Sequence, residues 1–298
     1  MENAARNAAD HAAQAQESTL IPPGTVVVGI DGSQSSDRAL DWAIDLAVRE
    51  RRQLTLAHGF DPAGVAWTDP MGASHRAVID AMADDGRRLL ADARAYVEMR
   101  QPDLGVNQTA WLADPRVTLL RLAEKASVVV VGSRGRGPVA SLLLGSVSVA
   151  VVRHATCPVV VVRPGHLGRV RNGVVVGVDG GPSSRSTVEF AYQQASLRKL
   201  PLTILHGIED VWPPNATEEE LRLPVTEPLT GLVEKYPDVT TRLELVRGNP
   251  VNALVEQSQR MDLVVLGAHS GGRLSTLLTG SVAMSVVEHA ECPVAIVP

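Results

Sequence analysis

Aromatic residues are scarce: 4 Trp, 3 Tyr and 2 Phe amount to 3% of the 298 residues. A single-strand nucleic-acid binder built on stacked rings needs more. Positive charge is not in excess either. With 28 Lys and Arg against 33 Asp and Glu, the net charge is −5. That leaves no basic footprint for a duplex. The 2 cysteines, neither in a CxxC pair, exclude a disulfide framework and a metal finger. No apolar run reaches the roughly 18 residues that a transmembrane helix needs. The first 20 residues carry Glu2, Asp10 and Glu17 among alanines and amides, without the apolar stretch of a signal peptide. The expected compartment is therefore the cytoplasm, with neither nucleic acid nor membrane as partner. What is present is 45% hydrophobic and 20% charged residues, enough to bury a core. At roughly 150 residues per domain, the length fits two domains.

An internal repeat organises the chain. Residues 29–60 align without gaps to 177–208, with 11 identities in 32 positions at an offset of 148. Residues 128–162 align to 263–297, with 17 identities in 35 positions at an offset of 135. The second copy is thus shorter in its middle, and a period this long means two whole domains rather than a solenoid. The expected organisation is a mobile tail over 1–23, a domain over 24–164, a Gly- and Arg-rich linker over 165–173 and a second domain over 174–298.

Each copy alternates strand and helix patterns. Thr25–Ile30 is a continuous apolar run, as suits a strand buried on both faces. Ser35 or Ser36 is expected to cap the next helix, whose Leu40, Ala43, Ile44 and Ala47 share one face. Strands follow at Leu54–Phe60, Val106–Leu112, Val128–Val131 and Val159–Val162. Helices are expected from about Ser74 to Arg100, from Val117 to Lys125 behind Pro115, and from Ser146 to His154. Alternating elements predict an α/β fold with a parallel sheet and helices on both faces.

In such sheets ligands bind beyond the carboxyl ends of the strands. The loop there reads Gly132, Ser133, Arg134, Gly135, Arg136, Gly137 and Pro138, and Gly145, Ser146 and Val147 open the following helix. Glycines admit positive φ and let backbone N–H groups approach an anion. A helix N-terminus, with Ser146 as its expected cap, adds favourable dipole charge. No Walker lysine and no GxGxxG are present. Asp31 would repel a bare anion, so it either accepts from a ligand's hydroxyls, acts through a bound cation or braces the Asp-Gly turn.

The Gly132-x2-Gly135-x9-Gly145-Ser146 spacing, VVVGIDGS at 26–33 and CPVVVV at 157–162 together resemble the universal stress protein family, tandem and ATP-binding in type. The resemblance spans both copies from Val26 to the C-terminus. It implies two doubly wound domains, each a five-stranded parallel sheet of order 3-2-1-4-5, and ATP with Mg²⁺ as ligand. In the first copy it assigns Gly29, Asp31, Gly59, Gly132 to Pro138 and Gly145 to Val147 to the nucleotide. In the second it assigns Gly177, Asp179, Gly207, Asp210, Gly267, Ala268, His269, Ser270, Gly271, Gly272, Arg273, Gly280, Ser281 and Val282, with Asp31 and Asp179 as indirect metal ligands. It implies a regulatory binding module in stress response. The alternatives are a slow ATP hydrolase, a self-phosphorylating protein and a nucleotide-free interaction protein, and a cyclic nucleotide is a further ligand to test.

No catalytic constellation recurs in both copies, and no general base stands beside the glycine loops. His58 and His206 read as hydrogen-bonded strand-end residues, Cys157 and Cys292 as buried and inert, and Trp42 and Phe190 as core. Val159–Val162 and Val294–Val297 are expected to pair with each other as an intramolecular pseudo-dimer, with a homodimer of whole chains beyond that. The second site is expected to bind more weakly: Ser270 stands where Gly135 would use positive φ, and His269 and Gly271 replace Arg134 and Arg136.

Overall fold

The computed structural model describes residues 21–61, 73–135, 144–164, 172–181, 184–208, 225–226, 229–268 and 281–298. The chain forms two compact units, one of residues up to 136 with 154–157, the other of 137–153 with 158–298.

In the first unit the elements are β1 (Val26–Gly29), α1 (Gln34–Glu50), β2 (Leu54–Gly59), α2 (Ala73–Arg100), β3 (Val106–Trp111), α3 (Pro115–Ala123) and β4 (Val128–Gly132). The strands are parallel in the order β3-β2-β1-β4. Val26, Val27, Val28, Val129 and Val130 are fully buried, because helices cover both faces of a parallel sheet. α1 turns Ala39, Leu40, Ala43, Ile44 and Ala47 inward, as its spacing predicts. Its cap is Ser33 rather than Ser35 or Ser36: the extended Ser33 accepts from Ser36 N at 3.2 Å, and Ser36 Oγ donates back to Ser33 O at 2.9 Å. Ser35 and Ser36 lie inside the first turn and are buried. The helix stops at Arg51, whose φ of 53° is left-handed, while Arg52 N reaches back to Ala47 O. Lys199 repeats this stop in the second copy at φ 54°.

The second unit gathers α4 (Ser146–His154, through residue 153), β5 (Val159–Val162), β6 (Val174–Val178), α5 (Ser184–Arg198), β7 (Leu202–Ile208), α6 (Leu232–Lys235), β8 (Thr241–Arg247), α7 (Pro250–Ser258), β9 (Leu263–Gly267), α8 (Ser281–His289) and β10 (Val294–Val297). Its strand order is β5-β10-β9-β6-β7-β8. The run β8-β7-β6-β9-β10 is the 3-2-1-4-5 order of a doubly wound domain. β5 adds to it antiparallel, with Val161 opposite Val294 and Val159 opposite Ile296, the pairing expected between the two valine-rich segments. Buried Arg163 follows β5 and donates from Nε to Ala290 O at 3.0 Å. The β10 edge is thereby paired instead of exposed. Among the described residues no helix is long and apolar enough to cross a membrane.

Candidate functional site

In the second unit the strand that follows β6 in sequence, β7, lies on one side of it, and β9 lies on the other. The order reverses there, so the helices diverge and leave a crevice beyond the carboxyl ends. A cleft occupies this place. Leu205, Leu254, Leu266 and Ala283 supply much of its apolar lining, and Gly177, Asp179, Gly207, Gly267, Ala268 and Val282 line it as well. Its volume is about 150 Å³, the size of an apolar cavity that takes one benzene-like ring.

Asp179 stands directly after β6 and organises the turn into α5. Its Oδ1 accepts from Gly181 N at 2.9 Å and from Ser184 Oγ at 2.8 Å, with Gly180 at φ 77° between them. A carboxylate, an apolar floor and the first turn of α8, through Val282 and Ala283, thus border one cleft. Such a set suits a ligand with a flat apolar part, hydroxyls and an anion.

Glycine in this region serves the protein's own packing. A Cβ at Gly177 would stand 2.6 Å from Leu266 Cδ2, and one at Gly207 would stand 3.2 Å from Pro250 Cβ. In the first unit a Cβ at Gly59 would meet Pro115 Cα at 2.8 Å, and one at Gly132 would meet the Ser35 backbone at 2.7 Å. Gly29 has more room, with Leu119 Cδ1 at 3.3 Å.

Asp31 repeats the turn-bracing role, accepting from Ser33 N at 2.9 Å beside Gly32 at φ 73°. Gly135 approaches it so closely that a Cβ would lie 2.7 Å from Asp31 Oδ2. Gly135 is not in the positive-φ region. The premise that Gly135 uses positive φ, from which strain at Ser270 was expected, therefore fails; a Cβ at 135 would instead press on the Asp31 carboxylate, which would have to shift. Ser133 is 1% exposed, and its Oγ has no hydrogen-bond partner among the described residues. Arg134 is exposed.

In the second unit α4 begins at Gly145 and Ser146. Val149 N donates to Gly145 O at 3.0 Å, so the cap is Gly145, one residue before the expected Ser146, which takes the first helical position. Val147 lies in the first turn. Arg136, Gly137, Pro138, Asp210, His269, Ser270, Gly271, Gly272, Arg273 and Gly280 lie outside the described residues. So do the tail up to residue 20 and the linker up to 171.

His58 Nδ1 meets Ile30 O at 2.7 Å and His206 Nδ1 meets Val178 O at 2.9 Å. A carbonyl only accepts, so Nδ1 carries the proton in each. Both rings fix the strand end that precedes an aspartate, as expected of structural histidines. Cys157 and Cys292 are buried, and burial pushes the Cys157 thiol up to about 11. Phe190 is core, whereas Trp42 is half-buried. Among the described residues no group of three or more His, Cys, Asp or Glu gathers to hold a metal. Sequence reasoning missed the cleft wall formed by Pro250 and Leu254. Their identity with Pro115 and Leu119 at the second repeat offset was the available signal.

The model of the universal stress protein family matches residues 23–163 and again 171–298. A universal stress protein of Mycobacterium tuberculosis strain H37Rv is 35% identical over 287 residues, covering 90% of this chain and 95% of its own length. One from Mycolicibacterium smegmatis is 32% identical over 286 residues, covering 91% and 96%. Among solved structures, a universal stress protein from Archaeoglobus fulgidus superposes with a TM-score of 0.68 at 18% identity, covering 94% of this chain and 97% of that one. With two matched segments and relatives aligned over nearly their full length, the chain belongs to the universal stress protein family, in tandem form.

Proposed function

We propose that the chain is an adenine-nucleotide-binding module of the stress response, ATP with Mg²⁺ being its ligand, in which occupancy alters affinity for a protein partner. The observation that carries this reading is the cleft at the β6–β9 switch point. Its ring-sized apolar floor suits the base, and Asp179 at its rim suits ribose hydroxyls. The glycine-rich segment 267–273 and Gly280-Ser281 lead into α8, where phosphates would meet backbone N–H groups. Mg²⁺ would be held mainly by the phosphates, since the described residues offer no cluster of three carboxylate, imidazole or thiol ligands. In the first copy, Ser133 Oγ, without a partner among the described residues, is a buried hydroxyl suited to a ligand contact. The cytoplasm is the compartment that fits such a ligand.

Purified protein is boiled and the supernatant chromatographed for released adenine nucleotide. ATP and cyclic AMP are then titrated by calorimetry into the wild type and Ala283→Leu, whose larger side chain fills the cleft floor. The expected result is at least one binding event lost in the variant, with unchanged circular dichroism. Two identical isotherms, or no saturable binding to the wild type, would overturn the cleft assignment. Turnover of bound ATP is expected to fall well below the roughly 1 s⁻¹ floor of ordinary enzymes, because the sequence carries no Walker lysine.

A further inference from the structure

We propose a second ligand site in the second unit, at the amino ends of β7 and β8 beside α7, for a small oxyanion. A groove of about 620 Å³ lies there, on the opposite ends of the strands from the nucleotide cleft. Thr203, Arg242, Glu244, Gln257 and Arg260 supply its polar lining. Arg242 Nη2 meets Glu244 Oε1 at 2.7 Å, and Gln257 Nε2 donates to Glu244 Oε2 at 3.0 Å. Glu244 is the more sheltered partner, with its side chain 27% exposed against 63% for Arg242. The carboxylate thus fixes the guanidinium, while Arg242 still offers N–H donors to the groove. Arg260 adds a second cation, with Glu256 at 3.5 Å. Within the lining itself Arg242 and Arg260 outnumber Glu244, while Glu256 pairs with Arg260 from outside it.

The first copy supplies an internal control. Strand registers set Thr55 opposite Asn107 and Thr203 opposite Arg242, and Ala57 opposite Thr109 and Leu205 opposite Glu244. Asn107, Thr109 and Leu122 therefore stand where Arg242, Glu244 and Gln257 stand in the second copy. Leu122 is 2% exposed, an ordinary core leucine. Asn107 bonds Gln53 at 2.9 Å, and the Gln53 side chain packs against Gly105. Pro201 replaces Gln53 and brings no amide to close the space. The fold is satisfied by an apolar and neutral set at these positions, so it does not itself require two linked charges and an amide. A guanidinium held by a carboxylate is a pre-organised receptor for carboxylate or phosphate oxygens, the chemistry for which its planar fork is suited.

The test transplants the first copy's residues into the whole chain: Arg242→Asn, Glu244→Thr and Gln257→Leu together, with Arg242→Asn alone as the milder variant. Inorganic phosphate and succinate are titrated separately by calorimetry and by amide chemical shifts, at low and high salt. Saturable binding of at least one anion to the wild type is expected. It should weaken at least tenfold in both variants and with added salt, while ATP binding is unchanged. No saturation by either anion up to ~10 mM, or equal affinity in wild type and Arg242→Asn, would overturn the site. Because ATP is measured in the same proteins, failure here is distinguishable from failure of the nucleotide cleft.

Discussion

Gly132→Ala separates packing from ligand binding as the reason for glycine at the end of β4. The new Cβ would stand 2.7 Å from the backbone carbon and oxygen of Ser35, whereas ordinary contacts begin at 3.4 Å. α1 must therefore retreat by the difference, about 0.7 Å. A gap of that size forfeits roughly a quarter to a half of each contact well. α1 buries Ala39, Leu40, Ala43, Ile44, Leu46 and Ala47, so the loss spreads over a whole helix face. Overpacking costs roughly 1–3 kcal/mol, and a backbone obstacle cannot rotate aside, so we expect about 2–3 kcal/mol. At roughly 2–4 °C per kcal/mol, the melting midpoint of the first unit should fall by about 4–12 °C. Gly29→Ala is the graded control: its Cβ would meet the rotatable Leu119 Cδ1 at 3.3 Å, and less than ~1 kcal/mol is expected. Thermal unfolding followed by tryptophan fluorescence reads both variants, since Trp42 and Trp111 lie in the first unit. Equal midpoints for the two variants would refute the packing explanation and return Gly132 to the ligand.

Three further outcomes are expected. Cys157 keeps its proton in the folded state up to about 11, whereas the unfolded thiol loses it near 9.0. The unfolded state then binds fewer protons between these values, so stability should fall as pH rises, with a slope approaching ~1.4 kcal/mol per pH unit, and Cys157→Ala should flatten that slope in urea melts. Asp114 caps α3 by accepting from Arg116 N at 2.7 Å, and Asn249 caps α7 in the same way. Asp114→Ala should cost about 1 kcal/mol by urea titration while Asp114→Asn costs little; equal losses would mean that the cap bond contributes nothing. Arg51→Gly and Lys199→Gly should each stabilise the chain by about 0.5–1 kcal/mol, because both native residues end a helix at positive φ. A lower melting midpoint in both would contradict the strain assigned to them.

The sequence by itself determined the repeat, the order of elements and the parallel sheet. These rest on period and composition: valine runs buried on both faces, helical stripes such as Leu40, Ala43, Ile44 and Ala47, and two fixed offsets. It also placed Asp31 and Asp179 at strand ends, since a run such as Val26–Ile30 must end where its apolar pattern does. The tertiary structure alone showed what the described glycines touch. Sequence allows glycine at 135 for positive φ or for proximity; the backbone there is not at positive φ, and the near neighbour is the Asp31 carboxylate. The cap of α1 at Ser33 depended on backbone angles that three nearby serines do not reveal. The cleft wall at Pro250 and Leu254 joins residues far from β6 in sequence, and its distance from Gly177 is a property of packing. The same holds for the groove at Arg242. Arg242 and Glu244, two residues apart, share one face of a strand, but only the sheet and α7 bring Gln257 to the same carboxylate. Local pattern is written in neighbouring residues, whereas contact between distant ones exists only after the chain has closed on itself.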